Sequence, residues 1–214
     1  RVETLVGIWG IGLVPTGERD PYALRRAALG IISAFDRLNE ANYFQAENKL
    51  NLRDLLAYAQ SVFAQDPKIS LADNTAQEVQ EFIYERLRNQ LNNEHDRSVV
   101  DAVLALNPDL DEVNVRVQAV THFNTLAEAQ SLAAANKRIG NILKKVEGEL
   151  GAVNKQLLVE PAEIALAQQI EQVEPIAQAH FAKAEFTQAL QAVAQTREAV
   201  DNFFNDVMVM ADDM

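Results

Sequence analysis

Apolar residues recur every three or four positions along almost the whole chain, and nowhere do they alternate strictly in twos. Val79, Phe82, Ile83, Leu87 and Leu91 give the clearest case. At about 100° per residue this spacing lines one face of an α-helix, whereas a half-buried strand needs a period of two. Ala and Leu are plentiful, and Gly and Pro number only 8 and 6 in 214 residues, which also favours helix. The chain reads as all-α, long enough to bury one large core or two small ones.

Punctuation divides this pattern into elements. Residues 1–12 read as a buried helix end, and Val14-Pro15-Thr16-Gly17-Glu18-Arg19 as a turn. Asp20-Pro21 reads as a helix start, with Asp20 as cap and Pro21 at the first position, opening a helix that carries Leu24, Ala28, Ile31, Ile32 and Phe35. After a polar, Asn-rich loop over 39–51, helices are expected through Leu52–Phe63, from about Asn74 to Asn92, and around Val99–Leu104. Asn107-Pro108 then separates two differently organised halves, so a boundary is placed near 106. Beyond it we expect an antiparallel bundle: a helix over about 110–123, and one capped by Thr125 and Glu128 that runs to about 147. Breaks are expected at Gly148 and Gly151. A helix should start at Glu160-Pro161 with a bend or interruption near Pro175, and a last helix should span about 184–207.

Several kinds of chemistry are excluded. There is no Cys, hence no disulfide or thiolate metal site, which fits a reducing, cytoplasmic setting. No apolar run approaches the ~18 residues a membrane span needs, so no membrane partner is expected. His95, His122 and His180 lie far apart without carboxylates at metal-ligand spacing, so no metal site is assigned. Gly7, Gly10 and Gly12 are in the wrong order for a dinucleotide loop and follow no strand, which leaves close helix contact as their use. No nucleophile elbow or P-loop is present, so no catalytic residue and no cofactor is assigned to this segment. The chain also begins without an initiator Met, which leads us to expect a piece of something longer.

Net charge is −12, which by itself argues against nucleic acid. The distribution tells more than the total. Residues 156–214 hold ten acids against Lys183 and Arg197, while residues 129–146 hold Lys137, Arg138, Lys144 and Lys145 and no acid at all. On a helix, Lys137, Arg138, Asn141, Lys144 and Lys145 fall within an arc of roughly 120°. Ala135, Ile139, Ile142, Leu143 and Val146 form the apolar side, expected to face neighbouring helices. The cations and the amides of Asn136 and Asn141 are expected to project together as the candidate binding set. The bland reading is a solvated helix face.

Longer blocks add a resemblance. Thr4-Leu5-Val6-Gly7, then Gly12, then the run Pro15-Thr16-Gly17-Glu18-Arg19-Asp20-Pro21-Tyr22 continuing to Gly30 form the first block. Ala119-Val120-Thr121-His122-Phe123, Ala133 through Leu143, Glu160-Pro161-Ala162-Glu163 and Phe203-Phe204-Asn205-Asp206-Val207-Met208-Val209-Met210 follow in order. This collinear set resembles the β subunit of bacterial tetrameric glycyl-tRNA synthetases, with the weakest likeness around 36–100.

The resemblance implies a C-terminal segment of that subunit. Residues 1–105 would hold the tail of an HD-type helical domain plus a helical connector. Residues 106–214 would be a helical anticodon-binding bundle that, in the family, continues through one more helix. It implies a glycine tRNA and the synthetase α subunit as partners, with ATP and Mg serving the holoenzyme. Glycine codons begin with GG, so two cytosines in a single-stranded loop would be read by base edges and stacking, with phosphates held by Lys and Arg. The other reading is a helical scaffold segment that meets the α subunit or another protein and touches no RNA. The absent further helix also suggests an apolar patch at Phe203 and Phe204, left exposed or hidden by self-association.

Overall fold

The computed structural model describes residues 1–44, 50–146 and 151–209. Among them lie ten α-helices and one 3-10 turn: α1 (Val2–Gly10), α2 (Leu24–Glu40), α3 (Leu52–Phe63), α4 (Thr75–Leu91), α5 (Arg97–Leu104), α6 (Val113–Phe123), α7 (Ala129–Leu143), the 3-10 turn Lys155–Leu157, α8 (Pro161–Ala182), α9 (Phe186–Ala194) and α10 (Arg197–Asp206). The described residues contain no strand; the one β-like feature is an isolated bridge between Thr16 and Arg19. The expected all-α class is what the structure has. The break expected at Gly148 and the tail after Val209 lie outside the described residues.

The chain separates into two compact units, Arg1–Val117 and Gln118–Met214, dividing inside α6. In the first unit α4 is the common neighbour, packing against α1, α2, α3 and α5. Its buried stripe is Thr75, Val79, Phe82, Ile83, Leu87 and Leu91, the face that the spacing of threes and fours marks out. Leu5, Val6, Leu24, Leu56 and Val100 are likewise fully buried. Trp9 ties α1 to α4 twice: its ring lies 4.8 Å from that of Phe82, and its indole N–H donates to a Glu78 carboxylate oxygen at 2.8 Å. Gly7 and Gly10 allow close approach, as the sequence suggests. A Cβ on Gly10 would stand 3.0 Å from the Leu71 Cβ and nearer still to its Cδ2.

Helix starts depart from the expected chemistry in instructive ways. Asp20 does cap α2, but across a turn: its two carboxylate oxygens accept from the Leu24 and Arg25 backbone N–H groups at 2.8 and 2.9 Å. Ala23 between them adopts φ 55°, and Pro21 stands in the turn rather than in the helix. The Thr125–Glu128 capping box does not form. The Thr125 hydroxyl instead donates back to the His122 carbonyl at 2.6 Å, and α7 begins at Ala129. At Glu160-Pro161 the expected start is present, with the Glu163 carboxylate accepting from the Glu160 backbone N–H.

The second unit is a small helical bundle. α8 packs against α9 and α10, and α10 against α7. Pro175 is absorbed within α8, which runs unbroken for 22 residues. The single helix expected over 184–207 is two helices, parted at Gln195-Thr196. There the Thr196 hydroxyl and backbone N–H both donate to the Val193 carbonyl, an alternative to continuing the helix. Its buried residues are mostly Ala (Ala162, Ala177, Ala189, Ala192 and Ala194), with Val173 and Phe186 the larger ones.

Tyr84 on α4 fixes the turn after α5, donating its hydroxyl to the Pro108 carbonyl at 2.5 Å. Burial pushes its phenol up to about 12, above the ordinary value of 10. A group whose folded pKa is raised contributes stability that is complete below the unfolded pKa and lost as pH climbs through the folded one. Unfolding titrations should therefore show stability falling between about pH 10 and 12. Tyr84→Phe should remove that fall, and should lower stability at pH 7 by about 1 kcal/mol because the Pro108 carbonyl loses its donor.

Candidate nucleic-acid interface

Helix α7 forms because its first half is rich in Ala and Leu, the strongest helix formers, and carries no β-branched residue. It ends at Leu143, earlier than the expected 147. Lys144 is the C-cap, and backbone N–H groups of Lys144 and Lys145 close the last turn onto the Gly140 and Ile142 carbonyls. Lys144 and Lys145 thus stand at the negative end of the helix dipole, where cations are favoured by a few tenths of a kcal/mol up to about 1. That contribution alone would account for two lysines on a solvated helix end. It accounts for neither Lys137 in mid-helix nor the absence of acids.

The helix is held from one side. Ser131 hydrogen-bonds the Asp201 carboxylate of α10, whose other oxygen lies 3.4 Å from the Arg197 Nε. Seven residues further along α7, the Arg138 guanidinium lies over the Phe204 ring, 4.2 Å from its centroid. Ala135 between these two ties is buried. The expected apolar side is only partly covered: Ile142 and Val146 are half-buried, but Ile139 and Leu143 are 39% and 45% exposed. The reason is that α10 meets α7 along one narrow flank.

All six candidate residues are exposed. Lys137, Lys144 and Lys145 form no ion pair with a described residue. Arg138 differs from them, since its head group already rests on an aromatic ring. The two amides do not share a face. Five helical residues separate Asn136 from Asn141, a rotation of about 140°. Asn141 lies on the cationic arc, whereas Asn136 lies on the opposite flank with Leu143. Sequence reasoning found the cations from their charge run but missed Phe204, Ser131 and Asp201; no local pattern joins Arg138 to a ring 66 positions away.

The expected bare patch at Phe203 and Phe204 takes another form. Both rings are half-buried, set edge to face with centroids 5.3 Å apart, and Arg138 covers Phe204. Two of the histidines make contacts within the bundle: the His180 Nδ1 lies 2.6 Å from a Glu185 carboxylate oxygen beside the α8–α9 turn, and the Gln191 amide donates to the His122 Nε2 at 3.1 Å.

Gly140 interrupts α7 among the cations, and a Cβ there would meet nothing within 4 Å. Gly140→Ala should therefore raise the midpoint of chemical denaturation, by about 0.5–1 kcal/mol in stability, since Gly costs that much in a helix interior. Loss of stability would show that the helix is not the conformation this segment holds.

Comparison with known proteins bears on both units. Residues 1–105 match the sequence model of the family described as Glycyl-tRNA synthetase beta subunit. Residues 132–214 match that described as DALR anticodon binding domain. The chain is 44% identical over 214 residues to the glycine--tRNA ligase beta subunit of Neisseria meningitidis serogroup B, and 44% identical over 215 to that of Ralstonia nicotianae. It is 46% identical over 217 residues to that of a Janthinobacterium species. In each case all of this chain is covered but 29% of the relative, so the chain spans under a third of their length. Helix α7 lies, apart from its first residues, within the second matched region.

Proposed function

The chain belongs to the glycyl-tRNA synthetase beta subunit family, and from that premise we propose that it carries anticodon binding for an ATP- and Mg-dependent glycine–tRNA ligase, with α7 as the RNA-facing element. The observation that carries this reading is the cationic arc of α7 and the turn that ends it, with no acid over residues 129–146 and no ion pair from its lysines among the described residues, lying in the region that matches an anticodon-binding domain within a chain of net charge −12. In this reading residues 106–214 do the binding, residues 1–105 are the connector from the rest of the β subunit, and the α subunit supplies aminoacylation.

Each candidate has a role set by its chemistry. Lys137, Lys144 and Lys145 are mobile point charges suited to phosphates. Asn141 presents an amide that can donate and accept, as a cytosine edge requires. Asn136, on the other flank, serves RNA only if the loop wraps around the helix. Arg138 stands at the seam with α10 and lends its charge to the same arc.

Replacing Lys137, Lys144 and Lys145 singly by Ala in the assembled ligase should weaken binding of a glycine tRNA. Each should also cut the slope of log affinity against log salt by roughly 0.7–1. Stability should change by no more than about 0.5 kcal/mol per site, since all three are exposed. Affinity and slope unchanged across all three variants would take α7 out of the RNA site. Lost association with the α subunit, with RNA binding intact, would mark the helix as a protein contact instead.

A further inference from the structure

Arg138, Asn141 and Lys145 follow one another at intervals of three and four residues, a single stripe along α7 and the turn that ends it. The stripe begins where the Arg138 guanidinium lies 4.2 Å from the centroid of the Phe204 ring, itself braced edge-on by Phe203 at 5.3 Å. A guanidinium is a flat, weakly hydrated cation, and one face of this one is taken by the ring. Arg138 is nevertheless exposed, with no ion pair to a described carboxylate. Its outer face is a planar, cationic, pre-set surface.

We propose that this outer face is a stacking platform for one unpaired nucleobase of RNA, with Asn141 at the base edge and Lys145 at the phosphate of the same nucleotide. The proposal rests on the RNA-binding reading above and goes further, changing the role of Arg138 from phosphate contact to base contact. Nucleobases stack readily on guanidinium planes and on aromatic rings, and a guanidinium already seated on a ring loses little freedom when a base is added. Along the helix axis Asn141 stands about 4.5 Å beyond Arg138, and Lys145 about 6 Å beyond Asn141. That ordering runs from ring to edge to phosphate, as a single nucleotide laid along the stripe would. Asn136, about 140° round the helix from Asn141, has no place in it.

Lysine tells the two roles apart. At a phosphate contact Lys can replace Arg, whereas at a stacked site it supplies charge without a plane. The test uses the full chain and a hairpin RNA whose loop carries the glycine anticodon, with 2-aminopurine substituted at one loop position at a time. We expect the fluorescence of one position to change on binding. Arg138→Lys should lower affinity about tenfold and abolish that change, while leaving the salt slope as in the parent. Asn136→Ala should bind as the parent does. Arg138→Lys binding as tightly as the parent would overturn the proposal, as would a fluorescence change that survives in Arg138→Lys. Arg138 is a surface residue, so these variants fold; Phe204→Leu, which removes the backing, should weaken binding in the same way and checks the platform from beneath. If the parent chain shows no salt-dependent binding of the hairpin at all, the RNA-binding reading itself fails and the platform with it, an outcome distinct from failure of Arg138→Lys alone.

Discussion

Small side chains decide how the second unit is held together. Where α8 and α9 bury mostly Ala rather than Leu, their backbones can come close, but each contact removes little apolar area from water. The first unit has the opposite character, with Leu, Ile, Val and Phe filling the space around α4. In the second unit, therefore, polar and cation–ring ties carry a larger share of positional precision. Asp201 gathers Ser131 and Arg197, and Phe204 receives Arg138. These ties orient α7, which the described part of its own unit holds mainly through α10.

The same arrangement explains why charge and apolar residues mix on the exposed side of α7. A helix packed on two sides would have buried Ile139 and Leu143. With α10 as its main neighbour, it presents both beside the cations. Single-stranded RNA offers charged phosphates and apolar base faces together, so a surface that mixes the two suits it better than one of either kind.

Helix content was legible because burial imposes a period, and the period survives in sequence whatever the partner helix is. The stripe on α4 and the start of α8 at Glu160-Pro161 follow from it directly. What escaped were decisions made without a sequence signal. Ala23 and Ala184 adopt φ 55° and 57° where Gly or Asn would have announced a turn, and Thr196 parts α9 from α10 with no Gly or Pro nearby. Thr125 had two carbonyl and amide directions open to it and took the backward one. The site was legible as a charge run only. That Arg138 faces a ring, and that Asn136 and Asn141 part company, depend on which flank of α7 is packed.

The charge asymmetry of the chain has a kinetic meaning. A polyanion approaching a segment of net charge −12 would be repelled over its acidic stretches and drawn toward the stretch 129–146, where acids are missing. Repulsion elsewhere discards encounters in the wrong orientation before they become contacts. If the stretch 129–146, which has four cations and no acid, is where RNA lands, the charge pattern would supply orientational selection by itself, and raising ionic strength would relax that selection as well as the attraction.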